Sequence, residues 1–146
     1  MSKIIIFVCT GNSCRSPMAE VIADRLSRDR ALGYTVASRG LSAYDGDAAA
    51  REAIAVAANH GLDLTAHVTR TLTAGDVSQA DVFYTMSATH RDALTALFPD
   101  AADKTKPIAA RDIDDPWSQG EDVYERTFTQ LEQAIQSLPE FMPILC

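Results

Sequence analysis

Lys3-Ile4-Ile5-Ile6-Phe7-Val8-Cys9-Thr10-Gly11-Asn12-Ser13-Cys14-Arg15-Ser16-Pro17-Met18 changes character twice. Lys3 to Val8 is an apolar run rich in β-branched residues, the pattern of a strand buried on both faces in a parallel sheet. Thr10, Gly11 and Asn12 end it as a loop. Pro17 then suits the first turn of a helix, where its missing N–H costs nothing, and Met18, Ile22 and Leu26 repeat behind it at four-residue spacing. Strand, tight loop and helix make a first βα unit.

The same alternation continues outward. Tyr34 to Ser38 reads as a short strand, followed by a loop from Arg39 to Gly46 and an alanine-rich helix from about Ala48 to Asn59 that Gly61 ends. A short helix is predicted near Thr73 to Ser78. Val82 to Met86 is a third strand, with Ser87 as N-cap of a helix that carries Leu94, Leu97 and Phe98 up to Pro99. Lys106 to Ala109 is a fourth strand candidate ahead of the acidic turn Asp112 to Trp117. Tyr124, Phe128, Leu131, Ile135 and Leu138 then form one apolar stripe on a last helix. The expectation is an α/β fold: an open, mostly parallel four-stranded twisted sheet with helices on both faces and right-handed crossovers.

With 146 residues, 47% of them apolar and 23% charged, the chain has the composition of an ordinary globular protein, and one domain over residues 1–146 is expected. Its net charge of −7 repels polyanions, which argues against nucleic acid or an anionic membrane surface as a partner. The apolar run Ile4 to Val8 is too short for a signal-peptide core or a membrane span, so a cytoplasmic location is expected. Cys9, Cys14 and Cys146 cannot build a disulfide framework, and no paired Cys/His spacing of the zinc type occurs. Thiol chemistry in a reducing compartment, without metal or cofactor, is the expectation.

In an open α/β sheet, ligands bind beyond the carboxyl ends of the strands, where Thr10, Gly11, Asn12, Ser13, Cys14, Arg15 and Ser16 lie. Such a loop, opening onto a helix N-terminus, can turn several backbone N–H groups inward as a ring for a tetrahedral dianion. Gly11 and Asn12 tolerate the positive φ this requires. At the floor of the ring, Cys9 meets the loop dipoles and the Arg15 guanidinium, an environment that favours a nucleophilic thiolate. Arg15 offers a planar fork for two phosphate oxygens. Taken singly, a cysteine after a buried strand also describes a small core residue, and Arg15 a solvated charge at a helix start. Their conjunction is what points to phosphate chemistry.

Cys9-Thr10-Gly11-Asn12-Ser13-Cys14-Arg15-Ser16-Pro17-Met18-Ala19-Glu20, with Asp115-Pro116 ahead of the final helix, resembles the low-molecular-weight protein tyrosine phosphatases, including their protein arginine phosphatase branch. The resemblance covers essentially the whole chain. It implies hydrolysis of protein phosphotyrosine through a phosphocysteine intermediate, with Cys9 as nucleophile, Arg15 as phosphate clamp and Asp115 as general acid. Asp112, Asp114, Asp115 and Pro116 read alone equally describe a polar turn. By the same resemblance the side chains of Asn12, Ser38 and His67 hydrogen-bond one another to hold the loop, and Ser16 donates to the Cys9 thiolate. For His67, a surface or capping role fits the sequence as well. Cys14 matches a cysteine that can form a disulfide with the nucleophile and shield it from irreversible oxidation, and a packed thiol is the plainer alternative. Cys146 is expected to be an exposed bystander.

The cleft walls depart from the tyrosine-directed pattern. Ser13 stands where those members carry a bulky aliphatic residue, and Trp117-Ser118 where they carry two aromatics; members that hydrolyse phosphoarginine are more similar at both positions. A phosphotyrosine ring would stack on Trp117 and Tyr44, whereas a phosphoarginine guanidinium would seek a carboxylate and a hydroxyl. Packing against the last helix is an alternative for Trp117. Thioredoxin-linked arsenate reductases share the loop but need relay cysteines, and none lies between Cys14 and Cys146. A phosphoryl-carrier or phosphate-binding module would gain nothing from Asp115.

Overall fold

The computed structural model describes residues 2–142. Cys146 lies outside them. Four strands, β1 (Ile4–Cys9), β2 (Thr35–Gly40), β3 (Val82–Thr85) and β4 (Thr105–Pro107), form one sheet in the order β2-β1-β3-β4. Every neighbouring pair runs parallel. The helices are α1 (Arg15–Asp29), α2 (Arg51–Asn59), α3 (Ala74–Gln79), α4 (Ala88–Leu97) and α5 (Glu121–Gln136).

Central β1 explains its own sequence. Successive strand side chains point to opposite faces. Ile5, Phe7 and Cys9 enter one core with Met18 and Ile22 of α1, Val56 of α2 and Tyr124, Phe128, Leu131 and Ile135 of α5. Ile6 and Val8 enter a second core with Val77 of α3, Phe83 of β3 and Leu94 of α4. Helices therefore cover both faces, and no position of β1 is spared for polar residues. Truncating a fully buried aromatic such as Phe7 or Phe128 to alanine removes packing worth about 3–5 kcal/mol.

The Ser87 cap expected from the sequence is present. Ser87 Oγ accepts from the His90 N–H at 3.0 Å. Thr73 makes a reciprocal box with Asp76: Thr73 Oγ1 accepts from the Asp76 N–H at 3.2 Å, and Asp76 Oδ2 from the Thr73 N–H at 3.0 Å. Several boundaries differ from expectation, β3 among them, which ends at Thr85 rather than Met86. β2 runs on to Gly40 because Gly40 pairs with Cys9. α2 starts at Arg51 rather than near Ala48, because the backbone ahead of it is committed elsewhere: the Ala50 N–H donates to Ser13 O at 2.9 Å. β4 is Thr105–Pro107, so Ile108 and Ala109 lie past its end. Leu97, unlike buried Leu94, faces outward.

Leaving β1 the chain crosses to β2 on one side, and it later returns to β3 on the other. The strand order reverses beside the end of β1, which opens a crevice there.

Candidate active site

Thr10 to Cys14 link β1 to α1 at that crevice. The left-handed turn is made by Asn12, at φ 56°, and not by Gly11, which keeps an ordinary φ. Asparagine tolerates this conformation, and here its side chain adds bonds that glycine could not. Asn12 Nδ2 donates to Ser16 Oγ at 2.9 Å and to Ser38 Oγ at 3.0 Å, and its Oδ1 accepts from the Arg70 N–H at 3.0 Å.

Cys9 Sγ accepts from the Asn12 N–H at 3.3 Å and lies 2.9 Å from Ser16 Oγ. Ser38 gives its hydroxyl proton to Glu20 Oε1 at 2.7 Å and accepts from Asn12. Ser16 also accepts from Asn12, and its own proton has two acceptors in reach, Cys9 Sγ at 2.9 Å and Arg39 O at 3.5 Å. A thiolate only accepts, so with Cys9 ionised Ser16 is the donor to sulfur. A polar chain thus runs Glu20, Ser38, Asn12, Ser16, Cys9. Burial pushes the Glu20 carboxyl up, against the opposing bond from Ser38 and the nearby His67.

His67 Nε2 lies 2.8 Å from the Asn12 carbonyl oxygen. The expectation that its side chain meets those of Asn12 and Ser38 is therefore corrected: it reaches the loop backbone. A carbonyl only accepts, so Nε2 carries the hydrogen.

Arg15, 7% exposed, donates from Nη1 to the Ile113 carbonyl at 3.0 Å, while Nη2 stands 3.7 Å from Asp115 Oδ2. The acidic segment is held against the end of β3. The Ile113 N–H donates to Met86 O at 2.9 Å, and the Ala88 N–H to Asp112 Oδ1 at 3.1 Å. Asp115 Oδ1 accepts from the Trp117 N–H at 3.1 Å, the local bond of an Asx turn. The turn and the approach to Arg15 thus coexist in one residue.

A cleft of about 670 Å³ opens over Cys9. Thr10, Gly11, Ser13, Cys14 and Arg15 line it from the loop, and Tyr44, Asp115 and Trp117 from the rim. Trp117 is 63% exposed and not packed on the last helix. Asn12, Ser16, Ser38 and His67 do not line the cleft; Asn12, Ser16 and His67 touch the loop that forms its floor, and Ser38 holds Asn12. Cys14 Sγ meets the Tyr124 hydroxyl at 3.3 Å, and burial pushes its thiol up despite that bond.

Sequence reasoning missed four residues. Glu20, four positions after Ser16, shares its face of α1, so helical spacing could have found it. His90 Nε2 lies 2.8 Å from Thr10 Oγ1 while its buried Nδ1 has no partner. Burial first, and Arg15 second, hold that imidazole below the ordinary histidine value. Nothing local marks His90, nor Asp47 and Thr69, which also line the cleft.

A buried sulfur supplied with hydrogen-bond donors, one captive guanidinium and a carboxyl at the same mouth can receive a phosphoryl group and protonate what leaves it. Fold and site together define the class of cysteine-dependent phosphatases. The chain belongs to the low molecular weight phosphotyrosine protein phosphatase family, whose model matches residues 4–142. It is 37% identical to the low molecular weight protein-tyrosine-phosphatase Etp of Escherichia coli K12, over 90% of this chain and 89% of Etp. A low molecular weight protein tyrosine phosphatase from T. tengcongensis superposes with a TM-score of 0.89 at 33% identity, covering 92% of this chain and 96% of that one. The YwlE arginine phosphatase from Geobacillus stearothermophilus does so with a TM-score of 0.85 at 32% identity, covering 92% and 88%. Among the described residues no helix is long and apolar enough to cross a membrane.

Proposed function

We propose that the protein dephosphorylates phosphotyrosine in cytoplasmic proteins through a phosphocysteine intermediate, without metal. The Cys9 thiolate attacks phosphorus, the P–O bond to the phenol breaks, and the Asp115 carboxylic acid passes its proton to the departing oxygen. Asp115, now ionised, takes a proton from water as that water attacks the phosphocysteine. The S–P bond breaks, inorganic phosphate leaves, and the thiolate returns. Arg15 and the loop N–H groups carry the charge on the equatorial oxygens in both steps. The observation that carries this reading is the approach of Arg15 to Asp115 at the mouth of the cleft that has Cys9 at its base.

Ser13 on the cleft wall supports a second reading, the same two steps on protein phosphoarginine with P–N cleavage. In either case the partners are phosphorylated proteins, not nucleic acid or membrane. Cys14, lining the same cleft, gives the site a redox response: a peroxide oxidises the Cys9 thiolate to a sulfenic acid and is itself reduced to hydroxide, and the Cys14 thiol then condenses with that sulfenic acid to a disulfide and water.

The test is turnover of p-nitrophenyl phosphate by the protein and its Cys9→Ser variant with a chelator present. Loss in the variant alone is expected. Equal turnover by both overturns the mechanism. kcat/KM on phosphotyrosine and phosphoarginine peptides, before and after Ser13→Ile, ranks the substrates; a ranking unmoved by the substitution removes Ser13 from the wall's role.

A further inference from the structure

Asp47 lines the catalytic cleft, and its backbone is held on both sides. Its N–H donates to Thr69 Oγ1 at 2.9 Å, its carbonyl accepts from the Thr69 N–H at 2.8 Å, and the neighbouring Gly46 N–H donates to Thr69 O at 2.9 Å. The carboxylate itself enters none of the ion pairs or side-chain hydrogen bonds among the described residues. Nearby Asp45, by contrast, is occupied by the Thr71 N–H at 2.8 Å.

Charge along the cleft is unbalanced. Arg15 is the one cation among the lining residues, and it already faces Ile113 O and Asp115. Once Asp115 carries the proton it must donate, Asp47 is the anion left among the residues lining the cleft that a phosphoryl dianion enters. An unpaired carboxylate there, carried on a backbone held by Thr69, repels a substrate whose only charge is its phosphate and attracts one that brings a cation.

Resting on the phosphatase reading above, we propose that Asp47 is a specificity-determining residue that selects substrates with a positive charge beside the phosphoryl group. Two sources present that chemistry: the guanidinium of phosphoarginine itself, and an arginine or lysine flanking phosphotyrosine. Asp47 stands on the solvent side of the cleft, so one such contact changes kcat/KM by about two- to fivefold, the scale of exposed ion pairs.

The experiment compares kcat/KM for four peptides of one backbone sequence: phosphotyrosine flanked by alanine, by glutamate and by arginine, and phosphoarginine flanked by alanine. Wild type, Asp47→Asn and Asp47→Lys are assayed at low and high salt. The wild type is expected to rank arginine-flanked above alanine-flanked above glutamate-flanked phosphotyrosine, or to favour phosphoarginine, and to lose the preference in high salt. Asp47→Asn should flatten the ranking and Asp47→Lys invert it. A loss confined to phosphoarginine assigns the cation to the guanidinium, and one confined to arginine-flanked phosphotyrosine assigns it to the flank; each supports the proposal. A wild-type ranking indifferent to flanking charge and to phosphoarginine, or one that Asp47→Asn leaves intact, overturns it. p-Nitrophenyl phosphate separates the two failures: no turnover by the wild type sinks the phosphatase reading, whereas turnover with a flat ranking sinks only the role of Asp47.

Discussion

Ser16 Oγ lies 2.9 Å from Cys9 Sγ while accepting from the Asn12 carboxamide. A thiolate can only accept, so once Cys9 is ionised the bond runs from serine to sulfur. A hydrogen bond to a charged group contributes about 1.5–3 kcal/mol. Ser16→Ala should therefore slow phosphocysteine formation by about 10- to 100-fold, read as the burst rate with p-nitrophenyl phosphate. An unchanged burst rate removes Ser16 from thiolate stabilisation.

Gly40 ends β2 against the phosphate loop. A Cβ there would sit 2.7 Å from Thr10 O, 2.9 Å from Ala43 Cβ and 3.1 Å from Asn12 N, so backbone has to move. Gly40→Ala should cost about 1–3 kcal/mol of stability, as overpacking does, and should also weaken competitive inhibition by inorganic phosphate. Denaturant unfolding and the phosphate inhibition constant check the two effects. Wild-type phosphate affinity in the variant would show that the close approach does not shape the loop.

Asp115 Oδ2 stands 3.7 Å from Arg15 Nη2 at the mouth of the cleft, the placement the proposed general acid requires. General acid catalysis contributes about 10²–10⁴ in rate, and most where the leaving group is a poor one. Asp115→Ala should therefore lose far more activity on phenyl phosphate than on p-nitrophenyl phosphate. Equal losses on both would take Asp115 out of that role.

Glu140 links the C-terminal end of the described chain to the sheet. Burial disfavours its carboxylate, but bonds donated by Lys3 at 2.8 Å and Tyr84 at 2.6 Å outweigh that and hold the carboxyl below its ordinary value of 4.5. A pKa lowered by folding contributes stability that is complete above the unfolded value and lost as pH falls through the folded one. Lys3 is partly exposed, so screening trims the contribution to about 1–2 kcal/mol. Glu140→Gln should lose that amount at pH 7, with the gap to wild type closing below about pH 4. A gap that does not vary with pH would mean the carboxylate's charge is not what stabilises.

Much of the fold was legible because its signals are local. The β-branched run of β1 has no polar position because both faces of the strand are buried, and α5 shows its stripe because one face meets a core. Ser87 could be read as a cap since it serves an N–H three residues ahead. The strand-to-helix turn was equally readable, because Cys9, Asn12, Arg15 and Ser16 lie close together along the chain. Gly11 misled, because left-handed backbone is permitted to glycine and asparagine alike, and side-chain bonding chose Asn12.

What the amino-acid order determined by itself was which segments become strands and helices and that Cys9, Asn12, Arg15 and Ser16 fall on one strand-to-helix turn, since those follow from burial periodicity and backbone preference over a few residues. What the tertiary structure alone decided was the company that loop keeps: Asp115 and Ile113 at Arg15, His67 at the loop carbonyl, His90 at Thr10, Glu20 at the end of the hydroxyl chain and Asp47 on the cleft wall. Most of these contacts join residues far apart along the chain, and all depend on the order in which four strands pair. That order is a property of the whole packed sheet, so no single stretch of residues records it.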